Sequence, residues 1–170
     1  MKISVKEIAI FAMLGALMVA SKVLMEILPN IHLVGVFIVS ITVVYRQKAL
    51  YPISVYIFLT GLFAGFDAWW IPYLYIWTIL WGIIMLLPQN MPRKMQFIAY
   101  PLICAIHGFA FGILYSPAQA LMFGLNLRQT CAWIISGLPF DLIHGFSNLG
   151  LGFLIVPLSN LLRKLSSKNA

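Results

Sequence analysis

Charged residues are scarce in this sequence of 170 residues. Asp, Glu, Lys and Arg together make up 9% of the chain, whereas they form roughly a quarter of a typical soluble domain. Apolar residues make up 62%, and the mean hydropathy is +0.99. This deficit of charge excludes an ordinary soluble domain. The composition predicts an all-α integral membrane protein in which residues 1–170 form a single domain.

The sequence also lacks the motifs of several enzyme classes. Its two cysteines, Cys104 and Cys131, both lie in apolar runs, which gives neither a disulfide framework nor a metal-binding spacing. It has no glycine-rich phosphate loop, Walker-type motif or nucleophile elbow. We therefore expect a protein that is not an enzyme, that needs no cofactor or metal, and that does not itself hydrolyse ATP.

Proline, glycine, asparagine and charged residues divide the chain into six apolar segments. A membrane-spanning helix needs roughly 20 mainly apolar residues. We predict a bundle of six transmembrane helices at residues 5–28, 31–46, 49–66, 70–87, 95–116 and 130–162. The interruption between the last two helices is the stretch "SPAQALMFGLNLRQ", residues 116–129.

Basic residues sort to one side of this bundle if both termini are cytoplasmic. Arg128 alone falls outside, and Lys22 falls within a helix. The residues on the cytoplasmic side are Lys2, Lys6, Arg46, Lys48, Arg93, Lys94, Arg163, Lys164 and Lys168. This asymmetry follows the positive-inside rule and requires an even number of spans. The net charge of +7 is thereby explained by topology and by contact with the lipid bilayer, so nucleic acid is not expected as a partner.

Ionisable residues inside spans are costly and therefore indicate function. Lys22 and Glu26 are predicted one turn apart near the outer end of the first helix, and Asp141 and His144 one turn apart in the sixth. His107 lies midway along the fifth. The first pair could neutralise itself as an ion pair, or it could form one wall of a polar cavity that opens outward.

Two further patterns allow a structural or a functional interpretation. On the sixth helix, small and polar residues share one face, which could serve close helix packing or line a site. They are Trp133, Gly137, Asp141, His144, Asn148 and Gly152. On the fourth helix, Tyr73, Trp77 and Trp81 repeat every four residues, which suits either core packing or a flat wall for a ligand. Trp69 and Trp70 fit an interfacial belt.

The chain length, the six spans and the sequence "AMLGALMVA" in the first helix together resemble the substrate-binding S components of energy-coupling factor (ECF) transporters, the bacterial vitamin importers. The resemblance implies a multi-pass protein of the bacterial plasma membrane. It also implies that Ala12, Ala16 and Ala20 dock against a transmembrane coupling protein, which sits on two ATPase subunits.

The resemblance further implies an outward pocket for a water-soluble vitamin or a related small solute. By position, its residues would be Lys22, Glu26, Asn30, His32, Trp69, Trp70, Tyr73, Trp77, His107, Asp141 and His144. Metal is not expected as cargo, because the start "MKIS" lacks the histidine used by the metal-importing members.

Two other functions remain open from the sequence. One is a stand-alone proton-coupled secondary transporter, in which the buried acids and histidines relay protons. The other is a small intramembrane enzyme with a zinc ion held by His107, Asp141 and His144, although a zinc site needs three or four protein ligands.

Overall fold

A computed structural model of the chain describes residues 3–167 and consists of helices joined by short turns. Lys2 and Lys168, which the charge pattern places in the cytoplasm, lie outside this range. The α-helices are α1 Val5–Leu24, α2 Val34–Tyr45, α3 Leu50–Ala64, α4 Tyr73–Met85, α5 Arg93–Phe109, α6 Phe111–Phe123, α7 Leu127–Leu151 and α8 Ile155–Ser167. Residues 3–167 contain no β-strand.

Five helical stretches are long and apolar enough to cross a membrane. They are Val5–Leu24, Val34–Ala64, Ala68–Met85, Arg93–Phe123 and Leu127–Ser166. The expectation of an all-helical chain is thus confirmed over the described residues, and these stretches fit a membrane protein.

The first helix is shorter than predicted. It begins with a capping box, in which the Ser4 side chain accepts from the Glu7 backbone N–H and the Glu7 carboxylate accepts from Ser4. It ends at Leu24 rather than at residue 28, because Pro29 disfavours helical geometry in the residue before it. Glu26 therefore lies in the turn after α1 and not one helical turn above Lys22.

Helix α2 is the centre of the bundle. Each residue from 34 to 42 is buried, and the helix packs against α4 and α8. The chain then turns back at Arg46–Ala49. Phe11 of α1 contacts both Tyr45 before the turn and Tyr51 after it. Leu59 and Phe63 of α3 border the same groove as the last residues of α1, so α3 runs parallel to α1 and opposite to α2.

Arg46 joins this turn to the end of α4. Its backbone is left-handed, with φ of 52°, a conformation that is uncommon for a residue other than glycine. Its guanidinium donates to the carbonyl oxygens of Met85 at 2.7 Å and of Ile84 at 3.4 Å. The Trp81 indole N–H donates to the Arg46 carbonyl at 3.1 Å. The Trp81 side chain is therefore hydrogen-bonded to the turn after α2, far from the start of α4.

The beginning of α1 and the end of α8 lie at the same end of the bundle, which we call the basic end. Ser4, Glu7, Tyr45 and Ser166 line one surface cleft there. The Tyr45 hydroxyl lies 2.8 Å from the Ser166 hydroxyl, and Lys48 forms an ion pair with Glu7. We call the opposite end, where α1 finishes and α4 begins, the cavity end.

The predicted interruption at residues 116–129 is largely helical, which corrects the sequence prediction. Helix α6 continues through Pro117 to Phe123, and only residues 124–126 separate it from α7. Gly124, with φ of 63°, ends α6 in a left-handed conformation. Asn126 then caps α7 by accepting from the Gln129 backbone N–H. The strong terminating signals are therefore Gly124 and Asn126, whereas a single proline is accommodated.

Helices α5 and α7 pack closely through the small and polar face predicted on the last span. A β-carbon added at Gly108 would lie 2.9 Å from the Gly145 α-carbon. The Asn148 side chain donates to the Cys104 carbonyl oxygen at 3.1 Å. Most of this face therefore serves helix packing.

Candidate functional site

A cavity of about 320 Å³ lies at the cavity end of the bundle. Its walls come from the end of α1, the loop after it, and single residues of α4, α6 and α7. The lining residues are Lys22, Met25, Glu26, Leu28, Pro29, Asn30, Ile31, His32, Tyr73, Phe111 and His144. This volume is at the lower end of the roughly 300–1,000 Å³ seen for ligand pockets, which limits the ligand to a small molecule.

The loop between α1 and α2 brings His32 against α7. Asn30 adopts a left-handed backbone, with φ of 61°, and its carbonyl oxygen accepts from the Ser147 hydroxyl at 3.3 Å. The His32 and His144 rings consequently lie edge to face, with centroids 4.7 Å apart. The Phe111 ring lies 5.1 Å from that of His144. These rings form one wall of the cavity.

Trp77 lies directly behind this wall and connects its members. Its side chain is 1% exposed. Its ring centroid is 5.6 Å from that of Tyr73, 5.7 Å from those of His107 and Phe111, and 6.3 Å from that of His32. Because edge-to-face aromatic contacts prefer such separations, Trp77 fixes the positions of the rings that line the cavity.

Several buried polar atoms in this aromatic cluster lack a hydrogen-bond partner within residues 3–167. They are His32 Nδ1, Trp77 Nε1, His107 Nδ1 and His144 Nε2. The other ring nitrogen of His107 lies 3.1 Å from the Ile76 carbonyl oxygen, which favours a proton on Nε2 and leaves Nδ1 as an acceptor. Since buried polar atoms are normally paired, the unpaired nitrogens of His32 and His144, which line the cavity, are typical of a site for a polar ligand, whereas Trp77 and His107 lie behind the wall.

Lys22 is half-buried beside the cavity. Its ammonium lies 5.4 Å from the Tyr73 ring centroid and 5.6 Å from that of Trp69, within the range of a cation–π interaction. Over the described residues it forms no salt bridge, so the direct ion pair with Glu26, one of the two alternatives, is not made, although the charge of Glu26 still acts on Lys22. Glu26 is exposed to solvent on its turn.

His32 is uncharged at neutral pH. Burial and, to a smaller extent, the positive charge of Lys22 lower its pKa to about 4. Both effects disfavour the protonated imidazole. The wall formed by His32 and His144 therefore presents a neutral His32 ring, with one nitrogen that donates and one that accepts.

Most of the residues that the sequence singled out surround this cavity. Trp77 and His107 lie behind the wall, and Trp69 covers the Lys22 ammonium from outside the lining. The predicted residues that line the cavity are Lys22, Glu26, Asn30, His32, Tyr73 and His144.

Two of the predicted residues lie elsewhere. The Trp70 indole N–H donates to the Ile57 carbonyl oxygen at 2.8 Å, so Trp70 holds the loop after α3 against that helix. The Asp141 carboxylate accepts from the Gly112 backbone N–H at 3.0 and 3.1 Å. It thereby pairs a free amide in the first turn of α6. Although Asp141 and His144 lie on one face of α7, only His144 lines the cavity.

Sequence reasoning did not identify Phe111 or the apolar loop residues Met25, Leu28, Pro29 and Ile31. Phe111 follows His107 by four residues within the predicted fifth helix, residues 95–116, so this spacing already placed both on one face and could have identified Phe111. The loop residues carried no usable signal, because they were assigned to the end of the first predicted helix, to a short break and, for Ile31, to the start of the second predicted helix.

The alanine stripe faces outward. Ala12, Ala16 and Ala20 are all exposed on α1, whereas the close approach of α1 to α3 occurs at Gly15, whose added β-carbon would lie 2.9 Å from the Pro52 carbonyl oxygen. The stripe is therefore not used for packing within the described chain.

The described residues contain no group of three His, Cys, Asp or Glu side chains arranged to hold a metal ion. His107, Asp141 and His144 thus do not form the ligand set that the zinc-enzyme hypothesis requires. Comparison of the chain with protein-family models, with curated proteins and with solved structures finds no match.

Proposed function

We propose that this protein is the substrate-binding S component of an ECF-type importer in a bacterial plasma membrane, and that it captures a vitamin-like solute from outside. The observation that carries the proposal is the small cavity at the end opposite the basic end, with Lys22 and the unpaired ring nitrogens of His32 and His144 in its lining. Such a combination of apolar surface and a few converging polar groups is typical of ligand sites.

The proposed topology has six membrane crossings and cytoplasmic termini. The reversal at Arg46–Ala49 supports the count, because it divides the stretch Val34–Ala64 into two antiparallel helices. The proximity of Ser4 and Ser166 supports a common side for the two termini. With the basic end inside, Lys48 and Arg46 obey the positive-inside rule, and the cavity faces outward.

The partners we propose are a transmembrane coupling protein and two ATPase subunits. The exposed alanine stripe supports this assignment, because small side chains allow the close helix contact on which association within lipid depends. The energy for transport would come from those partners, since this sequence has no nucleotide-binding motif.

The test is to purify the protein from cells in mild detergent and identify any bound small molecule by mass spectrometry. We expect one species at a stoichiometric level, and we expect its loss in His144→Ala, which removes a wall of the cavity. Trp70→Phe is the matched control, because Trp70 does not line the cavity and its indole is bonded to the Ile57 carbonyl oxygen.

Transport assays separate this function from its rival. Vesicles holding this chain alone should not accumulate the identified solute, whereas vesicles that also hold the coupling protein and ATPases should do so on addition of ATP. Accumulation by the chain alone that collapses with the proton gradient would instead identify a stand-alone proton-coupled secondary transporter.

A further inference from the structure

We infer that the cavity binds a small planar acid, with the acidic group at Lys22 and the flat ring against the wall of His32, His144 and Phe111. This inference rests on the proposed role in solute binding and specifies the chemical class of the solute. Both positive and negative residues lie near the cavity. The presence of charge alone therefore does not distinguish an anionic ligand from a cationic or a neutral one.

The charges around the cavity favour an anion. Lys22 is half-buried and lacks a salt bridge within the described chain. Glu26 also lines the cavity and its charge acts on Lys22, but its side chain is exposed to solvent. An incoming anion would therefore pair with a cation that has already lost part of its hydration, while an incoming cation would have to compete with water for Glu26. Asp141 does not contribute, because its carboxylate is bonded to Gly112.

The surroundings of Lys22 leave its hydrogen-bonding capacity available. The faces of Trp69 and Tyr73 hold the ammonium at 5.6 and 5.4 Å, but a ring face accepts hydrogen bonds only weakly. An ammonium has three N–H donors. The rings therefore position the charge and leave these donors for a carboxylate, with which charge-assisted hydrogen bonds are stronger than neutral ones.

The wall beyond Lys22 favours a flat ring. His32, His144 and Phe111 present an aromatic surface that Trp77 supports from behind. Because His32 is neutral, it adds no second positive charge beside Lys22. A ligand with a single negative charge is therefore favoured over a dianion. A cavity of about 320 Å³ suits one ring or two fused rings with a single acidic substituent.

The inference can be tested with benzoate, benzamide and benzamidine, which share one ring and differ in charge. Binding to the purified, ligand-free protein is measured by saturation-transfer NMR and by quenching of tryptophan fluorescence at millimolar probe concentrations. We expect benzoate to bind at least about tenfold more tightly than benzamide, and benzamidine to bind most weakly. We expect Lys22→Met to remove the preference for benzoate while benzamide still binds.

Arg128→Met is the matched control. It removes an exposed cation in the first turn of α7, and it should leave the order of the three probes unchanged. Tighter binding of benzamidine than of benzoate would overturn the inference, as would an unchanged preference in Lys22→Met or the binding of none of the three probes.

These outcomes are independent of the proposed transport role. If the protein prefers benzoate through Lys22 but does not assemble with a coupling protein and ATPases, the result supports the acid site and contradicts the role of an S component. If the protein assembles with those partners but prefers a cationic probe, the result supports the role of an S component and contradicts the acid site.

Discussion

The imidazole rings of His32 and His144 are in contact, with centroids 4.7 Å apart, although one belongs to the loop after α1 and the other to the middle of α7. The Asn30 carbonyl oxygen lies 3.3 Å from the Ser147 hydroxyl, which also donates within α7 to the His144 carbonyl oxygen at 2.9 Å, so the loop lies directly against α7 beside this contact. The cavity therefore depends on how a short irregular segment docks on a long helix, and changes at this junction should be detectable in stability as well as in binding.

His32 should make the stability of the protein depend on pH. Its pKa is about 4 in the folded protein and 6.5 in the unfolded chain, so the unfolded chain binds a proton more readily between these values. Stability is complete above about pH 6.5 and decreases as the pH falls towards 4, by up to about 3 kcal/mol from this group. His32→Gln should reduce the slope of thermal stability against pH in detergent. An unchanged slope would contradict the burial of a neutral His32.

Gly108 should not tolerate a side chain. An added β-carbon would lie 2.9 Å from the Gly145 α-carbon and 3.0 Å from its nitrogen, and backbone atoms have little freedom to move away. Gly108→Ala should therefore lower the free energy of unfolding by about 1–3 kcal/mol. The control is Gly150→Ala on α7, where the added β-carbon meets nothing within 4 Å. Equal thermal stabilities of the two variants would contradict the close packing of α5 and α7.

Asp141 should act in folding rather than in binding. Asp141→Ala leaves the buried Gly112 N–H without its acceptor and should destabilise the protein by about 1–3 kcal/mol. Asp141→Asn keeps one carbonyl acceptor and should lose less. The measurements are thermal unfolding and affinity for the solute that co-purifies with the protein. A large loss of affinity in Asp141→Asn at nearly unchanged stability would return Asp141 to the binding site.

Ala16 should be required for assembly but not for solute binding. A leucine at this exposed position would separate α1 from a closely packed partner helix, because the interface depends on small side chains. We expect Ala16→Leu to abolish co-purification with the coupling protein and to leave the bound solute in place. Ala132→Leu, which adds the same bulk at an exposed position of α7, should assemble normally. Normal assembly of Ala16→Leu would remove the stripe from the interface.

Periodicity and composition predicted the helices well because each apolar segment has clear polar or proline boundaries. The ends of α3 and α4 lie within a few residues of their predicted positions. The errors in the helix boundaries occurred where a proline interrupts a long apolar run. Pro117 was treated as a break although α6 continues past it, and residues 25–28 were treated as helix although Pro29 ends α1 early.

The candidate site could be predicted only in part, because a helical face does not reveal which neighbour it meets. Asp141 and His144 share a face of α7, yet one is bonded to α6 and the other lines the cavity. His32 was included through its position in an outer loop, and its contact with His144 depends on the conformation of Asn30, which the sequence does not encode in any regular pattern.

The hydrogen bonds of Arg46 limit which helices can move when a solute binds. Its side chain holds the last carbonyls of α4, and its own carbonyl is held by Trp81, so the turn after α2 and the far end of α4 are fastened to each other. Helices α2, α3 and α4 therefore pivot together if they move at all. Because α7 is packed tightly on α5 at Gly108 and Gly145, accommodation of a solute would then fall mainly to the loop after α1, the irregular segment that lines the cavity. This loop would be the movable side of an otherwise rigid binding site.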